Sequence, residues 1–194
     1  MGRLVLSVRR VDSTLYAPFI DLWVAHRIES GSTPEVAQRL AQDGTLQSAL
    51  ERSDVSAFIA FVEARPAGYI VLGDTTRSLL VDSPSVSIDM LYVVPELRRQ
   101  GVAKALLAAS ARYADRQGAE HITSLVPAQD REANRFFARL GFASETVRRV
   151  TTSATLQRRL ARAGSTRTSL EHVLQRRRDV RSRLSQSRPP QIAG

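Results

Sequence analysis

Residues 94–107, VPELRRQGVAKALL, set two arginines and a glycine where an apolar strand yields to an apolar helix, with Lys104 just inside. A helix beginning at Val102 leaves the amides of Gln100, Gly101, Val102 and Ala103 pointing unpaired out of its N-terminus, where the helix dipole adds positive charge. Gly101 lets the backbone approach a ligand closely, and Ala103 keeps the first turn small. Arg98, Arg99 and Lys104 can add charge-assisted hydrogen bonds. Such a corner suits a phosphate, although the same residue types also make a solvated helix start. The sequence has neither the glycine–lysine pattern of a P-loop nor G-x-G-x-x-G, so those nucleotide devices have no support.

A second chemical signal lies just upstream, at Asp89 in VSIDMLYVV. A carboxylate in so apolar a run does little for packing and is a site candidate, the alternative being a structural aspartate bonded to a neighbouring turn. Other chemistries find no residues to carry them. The chain has no cysteine, its three histidines (His26, His121, His172) lack ligand spacing, and no G-x-S-x-G elbow occurs. No metal is expected, and the histidines read as surface or packing residues.

The elements that must hold these residues can be read from periodicity. Strands are predicted over 3–11, 56–63, 68–74, 85–94, 121–127 and 144–152, with ARPA (64–67) joining two of them as a hairpin. Helices are predicted over 14–29 after a Ser13 cap, from Thr33-Pro34 onward, over 102–117 and over 130–140. The first of these spaces Phe19, Leu22, Trp23 and His26 at helical intervals. Hairpins together with helical crossovers imply an α/β fold: a mixed, mostly antiparallel sheet flanked by helices.

Composition bounds the rest. A chain of 194 residues, 43% hydrophobic and 24% charged, suits one globular domain with an appendage. Its net charge of +9 is unevenly spread: residues 1–147 carry 16 basic and 17 acidic side chains, and residues 148–194 carry 12 arginines against Glu171 and Asp179. In residues 170–184, Leu170, Val173, Leu174, Val180 and Leu184 share one helical face with arginines largely outside it, which predicts a basic amphipathic helix. LQRRLARAG (156–164) is a shorter relative, and residues 187–194 read as a flexible tail. The apolar stripe could dock on the core or on a second copy of the chain, making a homodimer. The arginines also suit nucleic acid across residues 153–188, although the tail has no aromatic residue to stack on bases. No apolar run is long enough to cross a membrane and the N-terminus lacks a signal-peptide pattern, so the expected setting is cytoplasmic.

VVPELRRQGVAKALL resembles motif A of the GNAT superfamily of acyl-CoA-dependent N-acetyltransferases, whose signature Q/R-x-x-G-x-G/A stands here as Arg98, Gly101 and Ala103. DREANRFFARLGF (130–142) resembles motif B, and together the likeness spans roughly residues 3–150. It implies an acyl-CoA N-acyltransferase fold over residues 1–152, followed by a basic helical extension (153–186). It implies acetyl-CoA as co-substrate, its pyrophosphate on the amides of residues 100–103 and its pantetheine along Leu91, Tyr92 and Val93. Asn134 and Phe137 would lie beside the thiol arm. A backbone amide of the fourth strand would hold the acetyl oxygen. Asp89 matches the position of the base that takes the proton from a primary amine acceptor, which has no lone pair while protonated.

Two departures bear on the activity. Members of the family often have a tyrosine, credited with protonating the thiolate, where this chain has Phe137; Tyr92 or water would then substitute. The family's seventh strand is replaced by helical spacing after Thr152. The expected activity is acetyl transfer from acetyl-CoA to an amine by direct attack. The alternatives are a weakened acyl-CoA-binding module, or an acetyltransferase directed to RNA by its tail.

Overall fold

The computed structural model describes residues 5–76, 83–145 and 149–161. The chain divides into two units, residues 1–139 and 140–194, each described by itself. The predicted basic helix over 170–184 and the tail over 187–194 lie outside the described residues.

In the first unit, β1 (Leu6–Arg10) leads into a single 3-10 turn, Ser13–Leu15, and then α1 (Tyr16–Glu29), α2 (Pro34–Gln42) and α3 (Thr45–Leu50). The strands β2 (Val55–Val62), β3 (Arg65–Thr76) and β4 (Pro84–Val93) follow, then α4 (Val102–Arg116), β5 (His121–Ser124) and α5 (Arg131–Ala138). The sheet runs β1-β2-β3-β4-β5. Neighbours are antiparallel from β1 to β4, and β5 lies parallel to β4, a pairing that requires a long crossover, supplied here by α4. The mixed, mostly antiparallel sheet expected from the sequence is present.

Residues alternate between the two faces of the sheet. Ala57, Ile59, Tyr69 and Tyr92 pack with Leu15, Phe19, Leu22 and Trp23 under α1. Phe58, on the opposite face from Ala57 and Ile59, meets the Tyr113 ring of α4 edge-on at 6.0 Å. The helices α1 and α4 therefore cover opposite faces of the sheet. On α4, Val102, Leu106, Ala109, Ser110, Tyr113 and Ala114 are buried, a stripe of helical period.

Several boundaries differ from the sequence expectation. The turn is capped by Asp12, whose carboxylate accepts the Thr14 amide at 2.9 Å, rather than by Ser13. The hairpin turns through Glu63 and Ala64, both at positive φ (48° and 66°), with Val62 opposite Arg65. Neither residue is the asparagine or glycine that usually marks such a turn, so the expected loop falls too late. The helix α3, six residues with none buried, is too short and too exposed to show a period. Of the strand expected over 144–152, residues 144–145 and 149–152 are irregular, and residues 146–148 lie outside the described residues. The β-branched run there, broken by Glu145 and Arg149, carries strand propensity without an apolar face, and propensity alone does not make a strand. In the second unit, residues 153–161 are helical, opened by Thr152, whose hydroxyl accepts the Thr155 amide at 3.2 Å.

Candidate active site

Strand β4 carries the irregularity from which the site is built. Val71 pairs with Met90 and Leu72 with Ile88, so Asp89 is an extra residue in a β-bulge. Bulges re-aim side chains and end regular pairing. Asp89 is exposed, and Met90, next to it, packs into the cluster under α1.

Strand β4 and the edge strand β5 part at the same level. The β4–β5 pairing runs from Ser85↔His121 to Ile88↔Ser124 and stops. Beyond it Leu91, Tyr92 and Val93 pair with Ile70, Tyr69 and Gly68 of β3, and among the described residues no strand flanks their other edge. Backbone groups on that edge are left for a ligand. On the β3 side the approach is tight: a Cβ at Gly68 would overlap the Tyr92 carbonyl oxygen.

A single 3-10 turn, Pro95–Leu97, leads from β4 into the corner before α4. Arg99 and Gly101 both have positive φ, 64° and 88°, which curls the backbone so that successive amides face a common hollow. Gly101 is the N-cap residue of α4 and no side chain caps that end. A Cβ at Gly101 would have nothing within 4 Å, so the glycine serves the backbone conformation rather than a close contact. Lys104 is exposed on the first turn.

Not every residue of this corner faces that hollow. Arg98 donates through Nε to the Val93 carbonyl at 2.9 Å and through Nη2 to Glu29 of α1 at 2.6 Å. It ties the end of β4 to the end of α1. Gln100 likewise donates its side-chain amide to the Glu96 carbonyl at 3.2 Å.

Helix α5 is capped by Asp130, which accepts the Ala133 amide at 2.9 Å. The Asn134 amide donates to the carbonyls of Pro127 and Asp130 at 2.9 and 2.6 Å, stapling the loop that enters the helix. Phe137 is buried and meets Phe136 edge-on at 5.5 Å. Phe136, in contrast, lines a pocket of about 660 Å³ with Arg99, Glu132, Arg135 and Arg139. Three guanidiniums against one carboxylate make this pocket suited to an anion, and the ring offers a stacking face. Arg135 and Arg139 were not singled out in the sequence. Their i, i+4 spacing on the motif B helix was the available signal.

The other group missed by sequence reasoning sits on α1. His26 continues the buried stripe of Phe19, Leu22 and Trp23, and its Nδ1 lies 2.7 Å from the Tyr69 hydroxyl. Its ring stacks on Tyr92 at 4.7 Å and 13°. Burial lowers its proton affinity, with Arg27 and Arg98 acting the same way and Glu29 opposing them. Burial also raises the Tyr69 and Tyr92 hydroxyls above the usual phenol value, helped at Tyr69 by Asp89 and at Tyr92 by Glu29. Both phenols are therefore neutral. Among the described residues no group of His, Cys, Asp and Glu could hold a metal.

The model of the acetyltransferase (GNAT) family matches residues 20–142. An uncharacterized N-acetyltransferase of Methanocaldococcus jannaschii is 24% identical over 98 residues, half of this chain; the chain spans 43% of that relative's length. An aminoglycoside N-acetyltransferase crystallised with CoA superposes with a TM-score of 0.64 at 20% identity, over 79% of this chain and 97% of the other. A ribosomal-protein-alanine N-acetyltransferase of Brucella melitensis biovar Abortus gives 0.59 at 17% identity, over 76% and 99%. At these identities the solved structures establish the shared fold.

Proposed function

The chain belongs to the acetyltransferase (GNAT) family, and on that premise we propose that it transfers an acetyl group from acetyl-CoA to a primary amine by direct attack within a ternary complex. The observation that carries this reading is the parting of β4 and β5 beyond Ile88, just ahead of a helix end that no side chain caps. The gap suits a pantetheine arm and the corner suits a pyrophosphate.

In this reading the amides of residues 100–103 hold the pyrophosphate, with Arg99 and Lys104 adding charge. Arg98 holds the corner to α1, and the pocket of Arg99, Arg135 and Arg139 takes the nucleotide end. Leu91, Tyr92 and Val93 flank the thioester, where a fixed N–H stabilises the negative charge that builds on the acetyl oxygen. Asn134 shapes the loop beside the thiol arm, and Phe137 packs against it. Asp89, exposed on its bulge, receives the first proton of the ammonium so that the nitrogen lone pair can attack. Phe137 has no proton to give. The CoA thiolate, of ordinary thiol pKa about 8.5, is a tolerable leaving group and takes up the second amine proton. Similar folds that act on aminoglycosides and on a ribosomal-protein alanine support an amine acceptor.

The test is thermal unfolding with acetyl-CoA, followed by turnover across amines that include aminoglycosides and peptide N-termini. Ligand at about 100 times its Kd should stabilise by roughly 2.7 kcal/mol, a rise of about 5–10 °C for a chain of this size. Binding without turnover on any amine would make the chain an acyl-CoA-binding module, and no binding would remove the reading altogether.

A further inference from the structure

Resting on the transferase reading, we propose that Glu29 of α1 is a positioning residue for acetyl-CoA. It holds Arg98 on the Val93 carbonyl, so that the pantetheine arm pairs with the open edge of β4 in one register only.

The edge can be followed group by group. The Val94 amide donates to the Ala67 carbonyl of β3 at 3.0 Å, so Val94 faces β3. Backbone groups alternate along a strand, so Tyr92 also faces β3, while Val93 and Leu91 turn their N–H and C=O to the opposite edge. Among the described residues no strand flanks that edge once β5 has ended at Ser124. Running back from the α4 corner, it presents the Val93 carbonyl, the Val93 amide, the Leu91 carbonyl and the Leu91 amide. A pantetheine arm carries two amide N–H groups that seek carbonyls. Two open carbonyls would offer it two registers, about 6.6 Å apart.

Arg98 removes one of them. Its Nε donates to the Val93 carbonyl at 2.9 Å and its Nη2 to Glu29 at 2.6 Å. A guanidinium is a rigid fork, so the second contact fixes the direction of the first. Of the two carbonyls, that of Leu91 is left for the arm. With the pyrophosphate anchored at the α4 corner, an arm paired at Val93 instead would hold its thioester one repeat short of Asp89. Direct attack does not tolerate that, since a misplacement of about 1 Å can cost 10²-fold. The same helix turn also holds the neighbouring residue of the edge, because His26 stacks on the Tyr92 ring at 4.7 Å and 13°. The ion pair itself is exposed, with 46% of the Arg98 and 39% of the Glu29 side chain open to water. Such a pair adds little to stability; what it supplies is position.

The experiment uses the full chain with Glu29→Ala, Glu29→Gln, Arg98→Ala and the double alanine variant. On the best amine, Glu29→Ala should lower kcat and the acetyl-CoA KM together, each about 5-fold or more, because a second register binds without reacting. Glu29→Gln, which keeps an oxygen for the Nη2 proton, should restore at least about half of kcat. The double variant should be no worse than the poorer single, since both residues act on one carbonyl. The Tm of Glu29→Ala should stay within about 2 °C of the wild type. A kcat unmoved in Glu29→Ala, a KM that rises at constant kcat, or losses that add would overturn the proposal. The ¹³C signal of the Val93 carbonyl gives a readout independent of turnover. In the ligand-free chain it should move in Glu29→Ala and in Arg98→Ala and hold its place in Glu29→Gln. A signal indifferent to Glu29→Ala would sink the clasp whether or not any amine is acetylated. A ketone analogue of acetyl-CoA, with methylene in place of sulfur, separates the two readings: if it fails to bind the wild type while the Val93 signal responds as expected, the transferase reading has failed and the clasp has not.

Discussion

Two glycines make opposite demands on the site. At Gly68 a side chain meets backbone: the Cβ of Gly68→Ala would press on the Tyr92 carbonyl and push β3 from β4. The expected cost is about 1–3 kcal/mol, read as a lower Tm with or without ligand. At Gly101 a Cβ meets nothing within 4 Å, but φ is 88°, so Gly101→Ala costs about 1–2 kcal/mol of backbone strain. In the proposed reading, relief of that strain would also turn the amides of the pyrophosphate corner. Acetyl-CoA affinity should fall at least about 10-fold in Gly101→Ala, more than the loss in Tm accounts for. The residue types at this corner were readable in the sequence, because an apolar strand, a cationic turn and a glycine before a helix occur within one short run. The use of Arg98 was not. Its partner Glu29 lies 69 residues away, a contact that no local pattern encodes.

At the level of elements, α5 shows what a helical pattern alone leaves open. Its span and Asp130 start follow the pattern, and the motif B resemblance implies that Phe137 lies beside the thiol arm. The structure buries Phe137 and puts Phe136 on the arginine-lined pocket. Adjacent helical residues point about 100° apart, and only the neighbour packed on α5 decides which of the two is inside. If the pocket holds the nucleotide end, Arg135→Ala/Arg139→Ala should raise the acetyl-CoA Kd about 10-fold or more and flatten its salt dependence. Acetylpantetheine, which lacks the nucleotide, should bind the variant and the wild type alike. The bulge at Asp89 belongs to the same scale. A run such as SVSIDMLYVV shows a strand, but the extra residue exists only relative to β3.

For the molecule as a whole, the burial of His26 couples folding to pH. Burial depresses the imidazole in the folded chain relative to 6.5 when unfolded. As pH falls below about 6.5, the unfolded chain gains a proton that the folded chain resists, so stability declines until the folded-state value is passed. Urea unfolding at pH 7.5 and 5.5 should show this loss, and His26→Gln should reduce it. The carboxylates held below their usual range, Asp12, Glu35 and Asp54, titrate at lower pH and leave that window clear. No helix among the described residues is long and apolar enough to cross a membrane.

Local chemistry settled much of this protein in advance. Alternation of apolar residues laid out most of the strands, helical spacing placed α1, α2, α4 and α5, and the residues around Gly101 suited a phosphate, which the resemblance implies is that of acyl-CoA, because each pattern depends on residues within a turn or two of one another. The tertiary structure decided what depends on distant partners: where β4 leaves β5, which face the bulged Asp89 meets, that Arg98 braces α1, and that His26 on α1 faces a buried phenol on β3. Residues 144–145 and 149–152, expected as strand, are irregular for the same reason. A strand exists only through hydrogen bonds to a neighbour, and its own residues cannot supply one.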